Sequence, residues 1–387
     1  MTTLENNMRV AQFMPHYPAR EGSAAYCRGL SSAMEKIQPG SCPIISLKRA
    51  LPPGYEDAGI LHYPSNSKNP FHLPRQLLDD LRQNVHQLDA VVLHCNYNPR
   101  AARLRRFLQR IGMPYLFVPH DPYVPELTHH HRFRKWLFWH LFEKGTIEGA
   151  VGVQLLSESH EDPLRELGCK NRVWTIPNGC EVETLDKLPA NAKVPGAGQE
   201  VRIQFLGRLD RNHKGLDILI DGFACYLAAT GDTHSSLYLT GNDWEDRQEL
   251  ESLARRLGVV DRVVFTGQRQ EHAMVIFSEA DIVVLSSRFD GFGLCVVEGM
   301  LAARPALVSD AAGVSSHVEK AGGGWLFSPE PEAVATAIQR AMDDRGQWEA
   351  MGNKNQAYVK NHLTWDDTAH QTMDMYRAWF DSDEKSD

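Results

Sequence analysis

The chain has 387 residues, 42% of them hydrophobic and 23% charged, with a formal net charge of −8. That balance is ordinary for globular chains and excludes disordered, collagenous and coiled-coil classes; at roughly 150 residues per domain it predicts two or three domains. Residues 1–190 carry 22 basic against 19 acidic side chains and the remainder 19 against 30, so neither half is a strongly basic nucleic-acid binder. No apolar run approaches the ~18 residues that span a bilayer. Met1–Met8 lacks an apolar signal core, so no secretory leader is expected. Seven scattered cysteines without a CxxC pair argue against a disulfide framework or a thiolate zinc site and fit a reducing cytosol.

In chain order, Arg9–Met14 predicts a strand and Ala24–Lys36 a helix after a Gly/Pro/Ser turn. Strands follow at Ala90–His94, Tyr115–Pro119, Ala150–Leu156 and Arg172–Ile176, with a basic helix at Arg100–Arg110. Leu188–Glu200 has two prolines, two glycines and no hydrophobic period, and predicts a linker. The alternation then restarts. Strands are expected at Val201–Leu206, Ser236–Thr240, Arg262–Phe265, Asp281–Leu285 and Pro305–Val308. Helices are expected at Asp217–Ala229, Arg247–Leu257, Leu294–Ala303 and Pro331–Asp343. Strands alternating with helices imply βαβ units and parallel sheets, here in two α/β domains.

Ligands of open α/β sheets bind beyond the carboxyl ends of the strands, so the loops there carry the chemistry. After the first strand, Gly22 and Ser23 open a helix and offer amides to an anion, although GxGxxG is absent and a plain turn fits as well. His120 and Asp121 follow the strand at Tyr115, where an imidazole suits a substrate hydroxyl or a structural loop equally. His129–His131 suggests a metal, but three adjacent side chains do not face one ion, and a basic helix start fits better. Arg132–Lys144 mixes cations with Trp136, Phe138, Trp139 and Phe142, and reads either as a membrane-surface helix or as one with a buried aromatic face.

Arg208 and Lys214 lie six apart after the first strand of the second domain. A planar fork and a point charge there suit a phosphate or diphosphate. Ser287–Met300 is the most informative stretch: Asp290 precedes Gly291, Phe292, Gly293 and Leu294, and Glu298 follows one turn inside a helix. A helix N-terminus stabilises phosphate. The two carboxylates would flank a ligand there, one gripping a polar group beyond the phosphates and one the hydroxyls behind them. A capping Asp with a solvated Glu is the bland reading.

With Ile176-Pro-Asn-Gly-Cys, Leu206-Gly-Arg…Lys214-Gly, Leu239-Thr-Gly-Asn, Val264-Phe-Thr-Gly, Asp290-Gly-Phe-Gly-Leu…Glu298-Gly-Met and Gly322-Gly-Gly-Trp-Leu-Phe in this order, the chain resembles the family-four retaining glycosyltransferases of the GT-B fold. The resemblance implies two Rossmann-like domains facing across a cleft, over residues 1–188 and 201–364, and C-terminal helices within 365–387 crossing back to the first. It implies a nucleotide-diphosphate sugar donor, a hydroxyl acceptor (glycan, lipid-linked or small molecule) and no cofactor or metal. Cytoplasmic location is expected, with peripheral contact at the inner membrane face as an option. By motif position, Arg208 and Lys214 would bind the diphosphate, with backbone amides near Gly293 and Leu294. Glu298 would hold the ribose, Asp290 the transferred sugar, His120 the reacting sugar, and Gly22 the diphosphate.

Three positions depart from the family pattern: Asp290 for the usual Glu, Ser23 for Gly, and Ser316 for Glu. A nucleotide-sugar epimerase of the same fold and a non-catalytic nucleotide-sugar or glycan binder are the alternatives.

Overall fold

The structure, a computed structural model, describes residues 8–19, 22–53, 55, 59–124 and 132–383. The chain forms two compact units, one of residues 1–179 with 365–387, the other of residues 180–364.

In the first unit β1 (Val10–Phe13), β2 (Ile44–Ser46), β3 (Ile60–His62), β4 (Ala90–His94), β5 (Tyr115–Val118), β6 (Val153–Leu155) and β7 (Val173–Thr175) form one sheet in the order β3-β2-β1-β4-β5-β6-β7. Every pairing is parallel. Parallel sheets are covered on both faces, so β4 is buried along its whole length and reads as an apolar run. β2 and β3, at one edge and only three residues each, were not foreseen. The helix Pro99–Arg110 starts because Asn98 accepts hydrogen bonds from the Arg100 and Ala101 amides at 3.1 and 3.2 Å and proline occupies its first position.

The helix Trp365–Asp383 completes this unit. It packs on the helix Gly22–Ile37, and the Trp365 indole occupies the space where a side chain at position 29 would stand. Gly29 is thus required for that close approach.

In the second unit β8 (Val201–Leu206), β9 (Ser235–Thr240), β10 (Val263–Gly267), β11 (Ile282–Leu285), β12 (Ala306–Ser309) and β13 (Gly324–Phe327) run parallel in the order β10-β9-β8-β11-β12-β13. The stretch expected to link two domains is held by this unit. Asp281, fully buried at the foot of β11, accepts from Lys193 Nζ at 2.5 Å and from the Gly196 and Arg202 amides at 3.0 and 2.9 Å. Such a buried carboxylate needs these donors, and they fix the segment.

Candidate active site

The second sheet reverses its strand order between β8 and β11. The crevice at such a reversal, beyond the strands' carboxyl ends, is where doubly wound sheets take ligands. The loops leaving β8 and β11 are those carrying the predicted residues.

After β8, Asp210 caps a short helix, Arg211–Lys214, by accepting from the His213 amide at 2.9 Å. Gly215 ends it at φ +62°, and a Cβ there would stand 2.2 Å from the Ser286 carbonyl oxygen. Ser286 Oγ donates to the Lys214 carbonyl at 2.9 Å. This contact brings the two loops together and aims Lys214 at Asp290. The Lys214 ammonium and the Asp290 carboxylate are paired, with side chains only 15% and 10% exposed. Ser287 Oγ and the Phe292 amide also donate to Asp290, at 3.2 and 3.3 Å.

Burial alone would push the Asp290 carboxyl up. The Lys214 charge, His213 and the hydrogen bonds from Lys214 and Phe292 instead hold it at about 2. Burial lowers Lys214, but Asp290 outweighs it and the ammonium is held above its ordinary value.

Arg208 lies over the Trp244 ring at 4.9 Å and donates from Nη2 to His213 Nδ1 at 3.1 Å. A guanidinium only donates, so neutral His213 carries its proton on Nε2, which is buried without a hydrogen-bond partner among the described residues. Burial and then Lys214 push His213 down to about 4. Its ring stacks on Phe289 at 4.5 Å.

Gly293 precedes the helix Leu294–Leu301 at φ +101°, where a Cβ would press on Leu285 at 2.9 Å and Val314 at 3.1 Å. Gly291 and Phe292 are buried beside it, and Glu298 is half-buried one turn into the helix. The Cys295 thiol lies within the field of Lys214, Asp290 and Glu298; burial pushes it up to about 12, so it is no thiolate. Arg208, Lys214, Asp290 and the helix tip are therefore one constellation, with Glu298 at its edge.

Gly22, Ser23 and His120 belong to the first unit. Gly22 and Ser23 open the helix Gly22–Ile37, and a Cβ at Gly22 would meet nothing within 4 Å. His120 sits in the loop after β5 at φ +71°. Its Nε2 lies 2.9 Å from His94 Nδ1, and His94 Nε2 lies 2.9 Å from Gln12 Oε1. Gln12 and His94 were missed because they sit inside strands that read as apolar runs. The positive φ of His120, a non-glycine residue, is a local irregularity that is invisible in sequence.

Among the described residues no cluster of three or more His, Cys, Asp or Glu could hold a metal. His129–His131 lie outside the described residues. No described helix is long and apolar enough to cross a membrane. Arg132–Lys144 buries part of its aromatic set and exposes another part. Phe138 and Phe142 pack on Phe71 at 6.5 and 5.1 Å and Trp139 on Tyr123 at 5.4 Å, while Phe133, Trp136, Leu137 and Leu141 are 72, 56, 41 and 52% exposed.

Two doubly wound parallel units in one chain, with cations and a helix tip at the reversal of the second sheet, define the GT-B fold. Residues 15–179 match the glycosyl transferase 4-like domain and residues 200–344 the glycosyl transferases group 1. The chain belongs to these family-four glycosyltransferases. Over 217 residues, 54% of each chain, it is 29% identical to the uncharacterized glycosyltransferase MJ1607 of Methanocaldococcus jannaschii. The chain spans about half the length of the curated relatives it matches. Sucrose-phosphate synthase from Thermosynechococcus elongatus shares the fold, with a TM-score of 0.74 at 22% identity over 97% of this chain and 100% of that one. Anabaena HepE, solved in complex with UDP and glucose, gives 0.71 at 19% identity over 96% and 100%.

Proposed function

We propose that the protein transfers a sugar from a nucleotide-diphosphate sugar to a hydroxyl acceptor with retention of anomeric configuration. The observation that carries this is the constellation of Arg208, Lys214 and the Gly293–Leu294 helix tip at the β8/β11 reversal. When the bond from the anomeric carbon to the diphosphate oxygen breaks, negative charge grows on the leaving group. Preformed cations and amides stabilise it most where water is excluded. The acceptor oxygen bonds to the same face of that carbon, and its proton passes to the departing phosphate oxygen.

Arg208, Lys214 and the helix amides are assigned the diphosphate, Glu298 the ribose hydroxyls and Asp290 the transferred sugar. Gly22 and Ser23 are assigned an anionic oxygen, and His120 a sugar hydroxyl. Because the two cations and the helix tip supply the positive field, transfer is expected to continue in excess EDTA. Polysaccharide or glycolipid synthesis is the process that suits such a transferase.

The outward face of Arg132–Leu141 is assigned to an anionic lipid surface. Phe133, Trp136, Leu137 and Leu141 follow helical spacing on one face, with Arg132, Arg134 and Arg106 exposed around them. Aromatic side chains partition to a bilayer interface, and each nearby cation adds about 1 kcal/mol on an anionic leaflet. Sedimentation with phosphatidylglycerol vesicles tests it: Trp136→Ser with Phe133→Ser should abolish binding, and equal binding by wild type and variant rejects the surface.

The transferase reading is tested by thermal shift against common nucleotide-diphosphate sugars, UDP-glucose first, each beside its free nucleotide. A ligand bound only by the folded state raises the melting temperature with its occupancy. Stabilisation by one donor, followed by product with retained configuration, is expected. No shift with any donor, together with no product from any acceptor, rejects the reading.

A further inference from the structure

Two buried side chains, Gln12 and His94, stand behind His120. Gln12 is the third residue of β1 and His94 the last of β4, its paired neighbour. The hydrogen bonds that join them run in one sense only. Gln12 Nε2 donates to the Val10 carbonyl and to Tyr376 Oη, each at 3.3 Å. A carbonyl only accepts, so the amide cannot be turned over and its Oε1 must face His94. Oε1 only accepts in turn, so His94 carries its proton on Nε2. Both rings are kept neutral by burial. His94 Nδ1 therefore holds a lone pair and accepts from His120 Nε2 at 2.9 Å. What remains on His120 is the Nδ1 lone pair, which has no partner among the described residues.

Two further observations point the same way. His120 is held at φ +71°, a conformation that costs energy for a side-chain-bearing residue. The Tyr26 ring meets it edge to face at 5.2 Å and 78°. Tyr26 Oη itself accepts from Gln154 Nε2 at 2.8 Å. Ring plane, ring position and proton location are thus all fixed.

We infer that Gln12 and His94 are positioning residues that set the tautomer of His120, so that its ring presents an acceptor and not a donor to a ligand hydroxyl. This rests on the reading of His120 as a sugar contact. The chemistry follows from the lone pair: Nδ1 accepts a hydrogen bond from a hydroxyl and repels an anionic oxygen, so His120 orients a sugar and leaves the diphosphate alone.

The test is the full-length protein labelled with 15N-histidine, with ring nitrogens read by long-range 1H–15N correlation at pH 7 and assigned with His120→Gln. A protonated Nε2 and an unprotonated Nδ1 are expected for His120. Gln12→Met removes the acceptor behind His94, and Gln12→Glu keeps one. The Met variant should mix or reverse the tautomer and lower kcat roughly two- to ten-fold, the worth of one hydrogen bond, with UDP affinity unchanged. The Glu variant should restore both.

A wild-type His120 protonated on Nδ1 overturns the inference. So does a Gln12→Met protein that keeps both the tautomer and the rate. If Gln12→Met does not fold, the wild-type spectrum still decides. The expected tautomer in a protein that turns over no donor would sink the transferase reading and leave the relay standing.

Discussion

Lys214→Met keeps the length of the side chain and removes its charge. In the wild type that charge, with His213 and the hydrogen bonds from Lys214 and Phe292, outweighs burial and holds Asp290 at about 2 against an ordinary 3.8. The difference corresponds to about 2 kcal/mol of stability, since each pKa unit is worth roughly 1.4 kcal/mol. The sign is that of a depressed acid: the contribution is complete above about pH 4 and is lost as pH falls toward 2. Without Lys214 only His213 and the hydrogen bonds from Ser287 and Phe292 oppose the burial of Asp290, so its carboxyl is expected to rise and the dependence to invert.

At pH 7 the variant leaves a buried, unpaired carboxylate, which costs about 3–5 kcal/mol. Urea unfolding of wild type and variant from pH 7.5 to 4.5 should give a difference of that size at neutral pH, narrowing as the pH falls. The double variant Lys214→Met, Asp290→Asn should recover more than half of the lost stability and none of the transfer activity. A difference below about 1 kcal/mol, or one flat with pH, refutes the buried pair. Near-wild-type turnover by the double variant refutes the role of Lys214 at the leaving group.

Gly22→Ala should keep or slightly raise the melting temperature, because a Cβ meets nothing there and alanine favours the helix, yet it should lower transfer by crowding the donor; equal kcat/KM in both proteins contradicts the assignment. His120→Ala should lower kcat while free-nucleotide affinity by calorimetry stays nearly constant, and a large loss of nucleotide affinity would move His120 to the phosphates. Asp290→Asn should reduce transfer far more than Ser316→Ala, since Asp290 gathers Lys214, Ser287 and the Phe292 amide whereas Ser316 is a half-buried position on the helix Ser315–Ala321. Comparable rates in the two variants would count against Asp290.

Much of this arrangement could be read from residue types. β4, β8 and the helix Pro331–Asp343 appear with the expected bounds, because their burial patterns run the whole length of each element. β2 and β3, three residues each at one edge of the first sheet, were not read from the sequence. The loops after β8 and β11 drew notice because cations, glycines and paired acids have specific uses at strand ends. Their partnerships were not legible. Lys214 meets Asp290 across 76 positions and His94 meets Gln12 across 82, and only the sheet order makes them neighbours. The composition around Lys193 lacks a period and does not show its ties, which run to Asp281, 88 positions on, and to Ser278 and Arg304.

The two compact units are unequal in how they are spelled along the chain: residues 180–364 are continuous, whereas the other unit is interrupted by them. During synthesis the interruption of about 185 residues takes roughly 10 to 40 s at 5–20 residues per second. Through that interval the helix Gly22–Ile37 has an empty socket at Gly29, waiting for Trp365, and Gln12 lacks Tyr376. The Gln12 amide that faces His94 thus gains its Tyr376 partner only after residues 180–364 have been made. A nascent chain therefore has the whole of residues 180–364 before the surroundings of His94 and His120 are complete.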